Sequence, residues 1–283
     1  MRTSARRSFV IAALSGLAMA HASRAPAEEL VKFESAAPRL DQAGNRGRAS
    51  DENLKRKPDI QGYLTKPRGE GPFPAVILLH SCLGLPADRR SIGGMFAGWG
   101  YVALFVDDFT TRGVKETCAI DFPQGLADAY GALAFLSALP YVDPRRIAAI
   151  GYSQGADAAL QIASSRIPPD FATPDDLRFK IAAAFYPPCA NQANAKFEIP
   201  TLILVGDSDE VTPAADCERL AKTQPSDRSE MKLVVLPGAG HLFDDPAFAG
   251  GKRRLGMTLK YDPSAAERSK SELRDFLAAK LVR

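Results

Sequence analysis

Beyond residue 58 the chain alternates between short, dense apolar runs and longer stretches in which apolar residues recur at helical spacing. "FPAVILLH" (73–80), "YVALFVDDF" (101–109), "RIAAI" (146–150), "TLILVGDSD" (201–209) and "MKLVVLPGAG" (231–240) are of the first kind. Apolar residues at both odd and even positions predict strands covered on both faces. "IQGYLTKP" (60–67) and "KIAAAFYPP" (180–188) also read as strands, and an edge strand is expected near Leu30–Phe33. Helices are predicted over Asp88–Gly100, over "QGLADAYGALAFLSAL" (124–139), over "ADAALQIA" (156–163), from Pro213, and over Ser264–Val282. Residues 34–58 are polar and turn-rich and predict surface connections around the edge strand.

Strands alternating with helices predict an α/β fold: a mostly parallel sheet of about eight strands with helices on both faces. No internal repeat of 20–50 residues and no Pro/Gly/Ser-rich linker divides the chain, so residues 26–283 are expected to form a single domain. The first 25 residues stand apart. They carry a positive head, an apolar stretch from Phe9 to about Ala20 and small-residue sites "AMA" and "AHA". This is the pattern of an export signal, too short for a comfortable membrane span. Arg6-Arg7 followed by Ser8-Phe9-Val10 resembles a twin-arginine signal.

Setting that segment aside changes the charge. It holds four arginines and no acids, so the 36 basic residues fall to 32 against 33 acidic, net −1. Basic residues form no long run, and no nucleic-acid-binding motif occurs, so no nucleic-acid partner is expected. Four cysteines, Cys82, Cys118, Cys189 and Cys217, follow the signal. An even count in an exported chain points to two disulfides. With three histidines and no C-x-x-C, no metal site is expected. A periplasmic or secreted protein without a stable membrane anchor is the resulting expectation.

In open parallel sheets ligands bind beyond the carboxyl ends of the strands. Those positions carry His80-Ser81-Cys82-Leu83-Gly84, Asp107-Asp108, Ser153, Asp207 and Asp209, and His241. "GYSQG" (151–155) is G-x-S-x-G between a predicted strand and a predicted helix, the context that makes the serine a nucleophile rather than a helix cap. A serine needs a base. His21 lies in the signal region and His80 ends a buried strand, where its expected role is to shape the loop. His241, in the glycine-rich loop after the last strand, is left as the base. The chain order Ser…Asp…His agrees. Of Asp207 and Asp209, the second lies deeper in its loop, where it can reach the histidine; Asp207 suits the turn. Two backbone N–H groups, of Gln154 after the nucleophile and of Cys82 after the buried strand, are the expected oxyanion hole.

With these residues in hand, the sequence resembles the dienelactone hydrolase family of α/β-hydrolases from about Ile60 to the C-terminus. "LLHSCLGL", "GYVALFVDDFTTRG", "YVDPRRIAAIGYSQGADAAL", "TLILVGDSDEVTP" and "GAGHLFDD" carry the likeness. The resemblance implies hydrolysis of small carboxylic esters or lactones with no metal or organic cofactor. It also implies that Arg112 meets a substrate carboxylate. The chain departs from the family in two places. Ser153 stands where well-studied members have cysteine, with Ser81 in place of the glutamate that holds it. The position four after His241 is Asp245 rather than arginine, which leaves Lys252, Arg253 and Arg254 as substitutes or as a solvated surface. The strand order of the implied fold places Cys82 near Cys118 and Cys189 near Cys217, and these are the expected bridges. Only about fifteen residues ("SSRIPPDFATPDDLR") separate the elbow helix from the next strand, too few for a large lid. A peptidase of short peptides and a silent binding protein on the same scaffold are the rival readings. The first lacks an extra domain to restrict access, and the second has no reason to keep all three triad residues.

Overall fold

A computed structural model describes residues 27–36, 59–119, 124–164, 177–225, 229–254 and 256–281. The signal segment, most of the polar stretch 34–58 and most of the stretch weighed as a lid lie outside these residues.

Eight strands form one sheet: β1 (Glu28–Glu34), β2 (Asp59–Thr65), β3 (Phe73–Leu79), β4 (Val102–Asp107), β5 (Val142–Tyr152), β6 (Ile181–Phe185), β7 (Thr201–Gly206) and β8 (Met231–Leu236). Their spatial order is β1-β2-β4-β3-β5-β6-β7-β8. β1 and β2 run antiparallel to their neighbours, and β3 to β8 are parallel. This is the α/β-hydrolase arrangement.

The alternation of side chains across a strand splits each apolar run between two cores. Val76 and Leu78 of β3 and Ala148 and Ile150 of β5 face one side. There they pack on Phe96 of α1 (Arg89–Gly98) and on Leu273 and Phe276 of α5 (Pro263–Leu281). Ala75, Ile77 and Ile147 face the other, under Tyr130 and Leu133 of α2 (Gln124–Ser137) and Ile162 of α3 (Gln154–Ser164). A third cluster joins Leu160 of α3 and Leu220 of α4 (Ala214–Lys222) to Ile203 and Val205 of β7. Covered on both faces, β3 and β4 are almost wholly buried.

One element is absent from the sequence reading. A hairpin of β9 (Lys252–Arg254) and β10 (Met257–Leu259) turns at Gly256, whose φ of +80° favours glycine. Two three-residue strands are too short to show a period. The hairpin leans on the last loop, where Leu259 bridges to His241 and Lys260 N–H donates to the His241 carbonyl at 3.3 Å.

Both disulfides join the expected partners. Cys82–Cys118 and Cys189–Cys217 have Cα separations of 4.8 and 5.0 Å, within the range a bridge requires.

Candidate active site

Ser153 sits between β5 and α3 with φ = +53°, in the left-handed region that a residue with a Cβ seldom adopts. Its flanking glycines explain how the turn closes. A Cβ on Gly151 would run into the Gly155 carbonyl, and one on Gly155 into the Leu79 carbonyl of β3. Glycine at both positions lets the helix N-terminus press onto the sheet and lifts the serine above it. Two other described non-glycine residues have positive φ, Tyr186 (+41°) and Leu242 (+59°). Both line cavities at this end of the sheet. Strain of this kind collects where surrounding structure over-determines a functional geometry.

The loops after β5, β7 and β8 bring Ser153, Asp209 and His241 together. His241 Nε2 lies 2.9 Å from Ser153 Oγ, and Nδ1 lies 2.8 Å from Asp209 Oδ2. All three side chains are buried. Asp209 is saturated with donors. Its Oδ1 accepts from the Val211 and Thr212 N–H groups, each at 2.8 Å, while Thr212 Oγ1 stands 2.9 Å from Oδ2. A carboxylate held this way fixes the ring tautomer with the proton on Nδ1, leaving Nε2 free to accept from the serine hydroxyl. Asp207, one turn away, accepts instead from Gly238 N–H at 2.7 Å and from Ser208 Oγ at 2.9 Å, tying its own loop to the next.

Sequence reasoning missed two supports. Thr212 Oγ1 donates to Asp209 Oδ2 and lies 3.2 Å from His241 Nδ1 and 3.1 Å from the Tyr186 carbonyl. Tyr186 sets its ring edge-on to His241 at 4.7 Å and donates its hydroxyl to Asp244 at 2.8 Å. Burial drives the Asp244 carboxyl up to about 7, against the pull of the Tyr186 hydroxyl and with the help of Asp245 and Asp88. Burial and the Asp244 charge likewise hold the Tyr186 hydroxyl well above its ordinary range. Nothing in "FYPP" or "EVTP" marks these roles; only the crossing of two loops creates them.

The Cys82 N–H and the Gln154 N–H have no acceptor among the described hydrogen bonds; for Gln154, the first residue of α3, that follows from its place at a helix N-terminus. The loop carrying Cys82 is braced three ways. Cys82 bonds to Cys118, its carbonyl accepts from Thr117 N–H at 2.9 Å, and Thr117 Oγ1 donates to Gln154 Oε1 at 2.6 Å. Ser81 Oγ accepts from Leu83 N–H at 3.3 Å within the same turn.

His80 takes no part in this relay. Its Nδ1 donates to the Ser81 carbonyl at 2.8 Å, and its Nε2 contacts Asp108 at 2.6 Å. Burial opposes its charge, but Asp108, joined by the Ser81 carbonyl and Asp107, outweighs that and raises its pKa. Arg112 is likewise committed elsewhere. It forks onto buried Asp128 at 2.7 and 2.9 Å and donates to the Asp108 carbonyl at 2.6 Å. It is not among the residues that line the two cavities beside Ser153. Lys252 lies over the Phe248 ring, Arg253 donates to Gly256, and Arg254 pairs with Glu116 at the edge of the cleft.

Two cavities meet at Ser153, of about 90 and 530 Å³. A third, of about 210 Å³, shares Ser81, Leu83 and Leu242 with the smaller of them. Among the described residues no three His, Cys, Asp or Glu side chains gather to hold a metal ion, and no helix is long and apolar enough to cross a membrane.

Fold and site together define a carboxylic ester hydrolase built on the α/β-hydrolase scaffold. The model of the dienelactone hydrolase family matches residues 60–281, and the chain belongs to that family. It is 30% identical over 217 residues to an uncharacterized protein of Mycobacterium tuberculosis, covering 71% of this chain and 74% of that one. It is 31% identical over 111 residues to the esterase FrsA of an Enterobacter species, 38% of this chain and 27% of FrsA. Among solved structures it resembles a dienelactone hydrolase-like promiscuous phosphotriesterase from metagenomic libraries. The TM-score is 0.66 at 19% identity, covering 90% of this chain and 99% of that one. A thermophilic esterase from Thermogutta terrifontis, bound to butyrate, gives 0.59 at 20% identity over 78% and 89%. At these identities the structural likeness speaks for the fold.

Proposed function

We propose that this chain is an exported serine hydrolase that cleaves small carboxylic esters or lactones through Ser153, His241 and Asp209. The continuous contact from Ser153 Oγ through the imidazole to Asp209 carries this reading. Ser153 Oγ attacks the ester carbonyl while His241 Nε2 takes its proton, and Asp209 steadies the imidazolium. The Cys82 and Gln154 N–H groups hold the oxyanion of the tetrahedral intermediate. The imidazolium then protonates the leaving alcohol, and the acyl group stays on Ser153. Water, deprotonated by the same ring, attacks the acyl-enzyme; collapse releases the acid and restores the serine.

Residues 1–25 act as the export signal and residues 26–283 as one domain, soluble in the periplasm or outside the cell. Two disulfides support that compartment, because cytosolic thiols are kept reduced. The test is turnover of p-nitrophenyl acetate and butyrate by the purified protein beside Ser153→Ala. Turnover that Ser153→Ala abolishes supports the reading; equal rates overturn it.

A further inference from the structure

The two cavities that meet at Ser153 differ in chemistry, and that difference has a consequence for the substrate. The smaller is lined mainly by Leu83, Val211, Leu242, Met257 and Leu259 around the nucleophile, with Arg254, paired to Glu116, at its edge. The larger carries Asp108, Thr117, Gln154, Asp157, Gln161 and Asn191 beside apolar residues such as Leu126 and Pro188. At about 530 Å³ it falls within the range of ligand sites, and the carboxylates, amides and hydroxyl in its mixed wall favour an acyl group that carries hydroxyls over a bare hydrocarbon chain.

His241 decides which half of an ester goes where. It lines the smaller cavity and not the larger. The leaving oxygen must take its proton from Nε2, so the alcohol belongs on the apolar side. Gln154, whose N–H faces the developing oxyanion in the proposed mechanism, lines the polar side, where the rest of the acyl group must then extend.

The polar wall is also organised. Asp157 collects the side-chain amides of Gln161 at 2.8 Å, Gln192 at 3.1 Å and Asn191 at 3.5 Å. Each amide that donates to it keeps its carbonyl oxygen and a second N–H for a ligand. Hydroxyl groups both donate and accept, and so match such a surface. A carboxylate or phosphate would face Asp157 and the Asp108–His80 pair, with Arg112 already forked onto Asp128.

We propose, building on the Ser153 hydrolase reading, that the substrate is a short-alkyl ester of a neutral, polyhydroxylated acid, such as the methyl ester of a sugar acid. Water is added across the acyl–oxygen bond. The polyhydroxy acyl group passes to Ser153 and then to water, and the short alcohol leaves with the proton from His241.

The test compares kcat/KM of the purified chain for methyl D-glucuronate, methyl hexanoate and 6-O-acetylglucose, with p-nitrophenyl acetate as a general ester. Methyl D-glucuronate is expected to exceed methyl hexanoate by about tenfold or more, because unpaired polar groups penalise the acid that lacks hydroxyls. Gln161→Leu and Asn191→Leu should each lower that ratio severalfold. D-Glucuronamide, a neutral mimic of the acyl part, should inhibit p-nitrophenyl acetate turnover competitively and more strongly than hexanamide. This arm needs no variant to fold. Methyl hexanoate turned over as well as the glucuronate, or no selective inhibition by glucuronamide, overturns the proposal. Preference for 6-O-acetylglucose overturns the orientation on which it depends. Turnover of p-nitrophenyl acetate in these cases leaves the hydrolase reading standing. Failure on every ester, p-nitrophenyl acetate included, defeats both.

Discussion

His241 Nε2 lies 2.9 Å from Ser153 Oγ although 88 positions separate the two in the chain. Ser153→Ala should lower p-nitrophenyl acetate turnover by several orders of magnitude, and His241→Ala nearly as much. The double variant should be little worse than either, because the residues act as a unit. Additive losses, or a single variant keeping more than about a tenth of the rate, would contradict the relay.

Asp209 and Asp207 share a loop but not a task. Asp209→Asn presents an amide where Nδ1–H needs an acceptor, and should cost about 10⁴ in kcat, as mis-setting the tautomer does elsewhere. Asp207→Asn loosens the Gly238 contact and should cost about tenfold at most in rate, with a small fall in Tm. Steady-state kinetics on both variants decides; the reverse ranking assigns the acid to Asp207.

The two disulfides should separate in their effects. Each closes a long loop and should contribute about 2–4 kcal/mol to stability. Only Cys82–Cys118 also braces the loop whose N–H faces the oxyanion. The Cys82→Ser/Cys118→Ser double variant should therefore lose kcat as well as Tm. Cys189→Ser/Cys217→Ser should lose Tm with kcat little changed. Equal kcat in both pairs would remove the bracing role.

Arg112, itself half-buried, forks onto the fully buried carboxylate of Asp128. Arg112→Met strands the carboxylate and should destabilise the fold by about 3–5 kcal/mol in urea denaturation. If the variant is as stable as wild type and instead raises KM for a carboxylate-bearing ester, Arg112 has the substrate-binding role that the family resemblance implies.

Asp244 predicts a pH dependence. Its carboxyl is raised from the ordinary 3.8 to about 7, so the folded state holds a proton that the unfolded chain releases. The folded state binds more protons between those values, so this group's contribution to stability falls as pH rises from about 4 to about 7 and is level above. Asp244→Asn removes that slope. Its Tm, measured from pH 4.5 to 8, should gain on wild type as pH rises. A constant difference between the two would mean that Asp244 is already ionised at the acid end.

Strands, helices and the elbow were legible in the sequence because their causes are local. Short continuous apolar runs such as "AVILL", bounded by turn residues and rich in branched side chains, read as strands covered twice, and a serine between two glycines at a strand–helix junction reads as a nucleophile turn. Scarcity did the rest: with three histidines, elimination reached His241. Tertiary structure decided what depends on which loops cross. Thr212 and Tyr186 become supports of the Asp209–His241 pair only because the loops after β6 and β7 meet under the last one. Arg112 is a cation in the right sequence neighbourhood, yet its side chain turns to Asp128, a partner on another element that no spacing rule announces. The hairpin at 252–259 was invisible because three-residue strands carry no period; packing against the His241 loop, not propensity, makes them strands. The pattern of a chain fixes which residues are buried and where it turns, but the direction of a charged side chain at a loop is settled by whichever partner the fold brings within reach.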